Sequence, residues 1–162
     1  LERNDLCVTN ENNIMIIKCI MFATFNYEKY DSNSIVYVKF NNFIDDNSFN
    51  TFLKEWIQLY RAQKKFTFVF DTTTVGFIPL NYSIMMSSFI GKLKKEPRQY
   101  LQKSIIIVNN NWVKYMLNFI FYIQPPVAPV HIVQNKDDIS NIINGNVPHN
   151  IITIYPNEEF LT

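Results

Sequence analysis

The residues best suited to chemistry in this chain are few: one acid at a strand end, Asp71, and two histidines, His131 and His149. The apolar run Phe66 to Phe70 leads into Asp71 and then into Thr72, Thr73 and Thr74. A carboxylate so placed sits at the edge where open α/β sheets receive ligands. An Asp followed by threonines also ends a strand by hydrogen-bonding its own backbone, and that local role is the expectation. His131 falls inside the run Val130 to Val133, where a hydrogen-bonded sheet residue is expected before a general base. His149 follows Pro148 in a loop. Nucleophilic catalysis needs a Ser or Cys on a sharp turn with a histidine brought to it, and no such pattern occurs. The three glycines, Gly76, Gly91 and Gly145, belong to no phosphate-binding loop. A non-enzyme without catalytic residues, metal or cofactor is the expectation.

Two groups of side chains suit binding better. The cations Lys92, Lys94, Lys95, Arg98 and Lys103 gather between a helical and a strand pattern. They form either a docking patch for a phospholipid headgroup or acidic partner, or a solvated helix end that complements its dipole, the second being favoured. Aromatics do not interleave them, so nucleic acid is not an expected partner. Met85, Met86 and Met116, with Phe89, Phe119 and Phe121, are of the adaptable kind that lines apolar cavities, although core packing is their default use. The expected lining is Met85, Phe89, Ile106, Val108, Trp112, Met116 and Ile120. The segment Trp112 to Ile123 is apolar on more than one face, so something must cover the extra face. Trp112→Ala is expected to cost roughly 3–5 kcal/mol if the indole is buried.

Composition narrows the classes. With 48% apolar and 15% aromatic residues the chain can build a core, and disorder is excluded. A net charge of +1 gives no global pull toward nucleic acid or an anionic membrane, so any such contact must be local. Apolar runs such as Ile105 to Val108 are far shorter than the roughly 20 residues of a membrane span. Cys7 and Cys19 lack metal-type spacing and read as free thiols of a reducing, intracellular compartment, cytoplasmic, virion or organellar, unless Cys7 folds back to pair with Cys19. Abundant Ile and Asn beside scarce Gly and Ala is the signature of an AT-rich genome, as in a giant DNA virus, a protist or an organelle. The sequence starts at Leu1 without a methionine and shows no signal-peptide pattern, so a trimmed or unresolved end is the expectation.

The elements that position these residues follow from periodicity. Residues 1–13 are a polar arm, and 14–162 read as one domain. Strands are expected over Ile14–Phe22, Ser34–Phe40, Phe66–Phe70, Ser104–Val108, Val130–Val133 and Ile151–Tyr155, the first two as an antiparallel pair. Helices are expected from the Asp45–Asp46–Ser48 caps through Tyr60, from Pro79 through Leu93, over Trp112–Ile123 before Pro125 and Pro126, and from Asp137 or Asp138 to a stop at Gly145. The order β-β-α-β-α-β-α-β-α-β implies right-handed crossovers and a mixed, mostly parallel sheet of five to six strands with helices packed on it.

The segments FTFVFDTTTV (66–75), IPLNY (78–82), EPRQYLQKSIIIVNNNWVKYMLNFIF (96–121) and PPVAPVHIVQNKDDISNII (125–143) together resemble the divergent branch of the CRAL-TRIO lipid-binding family. There an apolar strand ends in an Asn or His turn and a Trp or Phe opens the next helix. The same order resembles the STAS fold, whose switch proteins begin a helix with a phosphorylated Ser. This chain has Ile78-Pro79-Leu80-Asn81 at that position, so the switch is not carried over. The helical region and long gate segment of CRAL-TRIO proteins are not evident either, which argues against a closed lipid cage. The resemblance implies a noncatalytic module for a lipid, another apolar ligand or a membrane surface. The alternative it implies is a STAS-like interaction or structural domain, working as a homo-oligomer or within a larger assembly.

Overall fold

Burial alternates along the central strands: Phe66, Phe68 and Phe70 pack to one side while Val69 joins a separate cluster on the other. Both sides of the sheet are therefore covered, as the unbroken apolar strands require. The computed structural model describes residues 8–9, 15–16 and 21–157. In chain order the elements are β1 (Val8–Thr9), β2 (Met15–Ile16), β3 (Ala23–Asn26), α1 (Tyr30–Asn33), β4 (Ile35–Phe40), α2 (Asp46–Arg61), β5 (Phe66–Asp71), α3 (Asn81–Lys94), β6 (Leu101–Ile107), α4 (Asn111–Ile123), β7 (Val130–Val133), α5 (Asp138–Ile143) and β8 (Ile152–Ile154). The pair β1–β2 forms its own small antiparallel ladder, and the other six strands form one sheet.

That sheet is mixed, with β4 to β7 parallel and both edge strands, β3 and β8, antiparallel to their neighbours. The fold class is thus α/β, as expected. Spatial order equals chain order, β3-β4-β5-β6-β7-β8. Each crossover therefore steps one strand in the same direction, and crossovers of one hand then place α2, α3 and α4 on the same face. Core membership agrees: side chains of all three helices pack with Val36, Val38, Phe68, Phe70, Ile106 and Ile132. Among the described residues, the opposite face, Ile35, Val69, Ile105, Ile107 and Val133, receives Ile139 and Ile142 of the six-residue α5, with Tyr37, Ile143 and Ile151 at the margin.

Local chemistry explains the helices. Asp45 is extended and accepts from Ser48 N at 2.7 Å, while Ser48 Oγ accepts from Asp45 N at 3.1 Å, a reciprocal cap that stabilises α2 by about 1 kcal/mol. The buried stripe Phe49, Phe52, Trp56, Leu59 and Tyr60 has helical spacing, and Trp56 meets Phe68 edge-on at 4.9 Å. Asn110 caps α4 by accepting from Trp112 N and Val113 N, and the helix gives way at Gln124 before the two prolines. Gly145 takes φ +87 just after α5, the left-handed conformation expected of a terminating glycine.

Three expectations shift. The strand read over Ile14–Phe22 instead lies at Ala23–Asn26, paired with β4, and Met15–Ile16 belongs to the small ladder. A β-branched run marks strand preference, whereas partner choice is settled by tertiary pairing, here by Phe22 and Phe25 packing on the α2 side. Helix α3 starts at Asn81, two residues after Pro79, whose carbonyl accepts from Tyr82 N. Asp137 precedes α5 without a side-chain cap, because its carboxylate is taken by Asn135 Nδ2 at 3.1 Å. Cys7, Cys19 and the remaining residues of the N-terminal arm lie outside the described residues.

Candidate functional site

Asp71 ends β5, where its Oδ1 accepts from Thr73 N at 2.9 Å and from Thr73 Oγ1 at 2.6 Å, and Lys136 Nζ lies 3.3 Å from Oδ2. Burial alone would push its pKa up, but the two Thr73 hydrogen bonds and the Lys136 charge together hold it below the usual value. Thr72 Oγ1 donates to Ile107 O and Thr74 Oγ1 to Phe40 O, so this turn is tied to both neighbouring strands. The Thr73 contacts are the expected local role, and the Lys136 ion pair from the loop after β7 adds to it. Because strand order never reverses, this edge also lacks the switch point at which open sheets form a ligand crevice.

His131 points away from the long helices, is 5% exposed, and its Nδ1 lies 3.0 Å from Thr153 Oγ1 on β8. Burial pushes its pKa down, and the Lys103 charge adds to this. Asp71 is level with Ile107, and Ile107 with Val133, two residues beyond His131. Two strand spacings and two residues put the acid and the imidazole about 12 Å apart, with Ile105 and Ile107 between their strands. The two do not form a dyad. His149 is exposed in the loop before β8.

The basic cluster divides. Lys92, Lys94, Lys95 and Arg98 are exposed at the end of α3 and in the loop beyond it. Lys103 is not with them: its ammonium donates to Ile142 O at 2.8 Å, serving the last turn of α5 on the other face of the sheet. Strand parity is the reason, since Lys103 shares its face with Ile105 and Ile107.

Beneath the helices lies a cavity of about 140 Å³ with an almost wholly apolar wall. Phe52 and Trp56 of α2, Met86 and Ile90 of α3, and Val113 and Leu117 of α4 contribute, with Phe70, Ile106 and Val130 as its floor. Of the expected lining, Ile106, Met116 and Ile120 are in the wall. The other four lie elsewhere. Met85 is half-buried at the edge of the core, one position from the Met86 that does line the cavity. Phe89 packs on Trp56 at 5.3 Å, and Val108 is buried just past β6 with its N–H bonded to Val133 O. Trp112 is turned outward, half-buried, donating from Nε1 to Ile78 O at 3.2 Å and stacked between Phe77 and Tyr115.

Among the wall residues that sequence reasoning missed are Trp56 and Ser83. Both are buried, and Trp56 Nε1 and Ser83 Oγ find no hydrogen-bond partner among the described residues. The signal available was Ser83 itself, a hydroxyl on the apolar side of a helix pattern. Among the described residues no cluster of His, Cys, Asp and Glu suits a metal ion, and no helix is long and apolar enough to cross a membrane. No family model matches the chain, and no curated protein or solved structure is significantly similar to it.

Proposed function

We propose that this domain is a noncatalytic binding module that holds a small apolar ligand between its sheet and its three long helices. The observation that carries this reading is the cavity, to which every layer of the helical face contributes side chains. Its volume decides the class of ligand. Sites for drug-sized molecules run to roughly 300–1,000 Å³, whereas an apolar cavity of about 150 Å³ takes benzene or xenon. About 140 Å³ suits a single ring or a short alkyl segment and excludes a whole lipid. The apolar-ligand expectation attached to the CRAL-TRIO resemblance is narrowed on this reading to a small ligand. Under the STAS-like alternative the same space is a packing void, and the domain works through protein contacts.

Organic extraction of the purified protein followed by mass spectrometry identifies any bound apolar molecule. Benzene titrated into the extracted protein is expected to shift the methyl resonances of Met86, Met116 and Ile106. Ala128→Leu, which fills the wall from a small residue, is expected to abolish the shifts while the protein stays folded. No extracted ligand together with no response to benzene sinks the reading. A stable oligomer or complex in that case favours the alternative.

A further inference from the structure

The outer surface of α3 and α4 is both apolar and basic, and the cavity makes no use of it. Helical geometry places Trp112, Tyr115, Phe119, Tyr122 and Ile123 along one stripe of α4, about 100° wide. Tyr115 is 54% exposed, Tyr122 89% and Ile123 47%. Phe77, 71% exposed, stacks on Trp112 at 5.0 Å, and Trp112 stacks on Tyr115 at 5.6 Å. Ile84 of α3 and Leu80 just before it are exposed as well. Aromatic residues with a polar tip are the ones enriched where protein meets the headgroup region of a bilayer.

Charge follows the same surface. From Thr72 to Pro129 the chain has six cations and a single acid, Glu96, a balance of +5 in a protein whose total is +1, so the rest of the chain carries −4. Neither α3 nor α4 contains an Asp or Glu. Only Lys103 of the six is turned to the opposite face of the sheet. A Cβ on Gly91 would stand 3.3 Å from Gln124 Oε1, so the basic end of α3 lies beside the Tyr122–Ile123 end of α4.

We propose that the outer face of α3 and α4 docks peripherally on an anionic bilayer, its aromatic stripe entering the headgroup boundary while Lys92, Lys95 and Arg98 meet lipid phosphates. Complementary charge decides for an anionic surface: two adjacent helices free of acids repel nothing such a surface presents, and each basic residue near it adds attraction. The proposal is independent of the cavity.

Flotation with phosphatidylcholine vesicles, with and without phosphatidylserine at roughly one part in three, tests it. Binding is expected only to the anionic vesicles and is expected to weaken with salt. Lys92→Gln with Lys95→Gln should weaken it by about fivefold per lysine. Tyr122→Ser should weaken it by about tenfold or more, and at 89% exposure this change leaves folding intact, as a urea melt verifies. Brominated acyl chains should quench Trp112 fluorescence. No binding to anionic vesicles, or binding indifferent to these variants, overturns the proposal. A soluble oligomer or protein complex that Tyr122→Ser dissolves, in the absence of vesicle binding, assigns the face to a protein and equally overturns it.

Discussion

Replacing Ser83 by alanine should make this protein more stable. Ser83 is fully buried on α3 beside the cavity, and its hydroxyl has no hydrogen-bond partner among the described residues. A buried hydroxyl left unpaired costs about 1–3 kcal/mol of desolvation. Alanine is also the better helix former by a few tenths of a kcal/mol. Against this, removing one oxygen enlarges the cavity by about 10 Å³, a loss of roughly 0.2–0.3 kcal/mol. The balance is a gain of about 1–2 kcal/mol, or a rise in Tm of about 2–8 °C for a chain of this size. Urea melts measure it as a higher midpoint at unchanged slope. Ser87, four residues on in the same helix and equally hidden, is the control. Its Oγ donates to Ser83 O at 2.8 Å and lies 3.3 Å from Ile120 O, so Ser87→Ala should lose about 0.5–1.5 kcal/mol. Opposite signs at the two serines are the expected result. A loss of about 0.5 kcal/mol or more for Ser83→Ala would refute the reasoning, because its hydroxyl must then be bonded in solution, to water or to a ligand in the cavity.

Trp112→Ala should cost about 1–2 kcal/mol and not the 3–5 of a fully buried indole, since the ring is only partly buried and lies in the surface stack between Phe77 and Tyr115; denaturant melts check it. His131 has a folded pKa below its ordinary 6.5, so it favours the native state fully above pH 6.5 and ever less as pH falls toward the folded value. Stability of the native protein should therefore drop below pH 6.5 more steeply than that of His131→Gln, and parallel curves would contradict the burial argument. Asp71, held below its ordinary 3.8, stabilises above that pH and loses its contribution as pH falls through the folded value. Asp71→Ala should cost about 1–2 kcal/mol at neutral pH and flatten the acid limb of the stability curve.

Most of the fold was legible because crossover helices leave a strong trace. The alternation of Phe66, Phe68 and Phe70 with Thr67 and Val69 marks a strand covered on two sides, and the cap at Asp45–Ser48 marks where α2 begins. An edge strand leaves less. Ala23–Asn26 has an ordinary composition, while the Ile-rich run before it carries the preference without the partner. The candidate site was legible only in part, and α4 shows why. The one polar stripe of α4, Asn111, Lys114 and Asn118, is narrow and fixes its rotation loosely, so sequence alone does not say which of the flanking apolar positions, Trp112 among them, look inward. Met116 and Ile120 turned out to face the cavity, and Trp112, on the same apolar helix, faces out. Lys103 was different: proximity in the chain groups it with the cations of α3, although its strand parity with Ile105 could have separated it from them.

Strand order explains where function has room to arise in this protein. A sheet whose strands follow one another in space as they do in the chain collects its long helices on one face, and with them nearly all of its aromatic mass. The strand ends are closed off by Asp71, Thr72 and Thr74 bonding to their own neighbourhood, and the far face is occupied by α5, pinned there by Lys103. What is left is the helical layer, used from beneath or from above. Large aromatic side chains from three helices cannot all interdigitate over one sheet without gaps, which gives the cavity under α3 and α4. The same surplus of apolar residues leaves the Phe77–Trp112–Tyr115 stack on the outside. Cavity and outer face are thus two consequences of one excess of apolar surface on one side of the sheet. They remain separable, because Met86 and Met116 bear on the first and Tyr122 and Phe77 on the second.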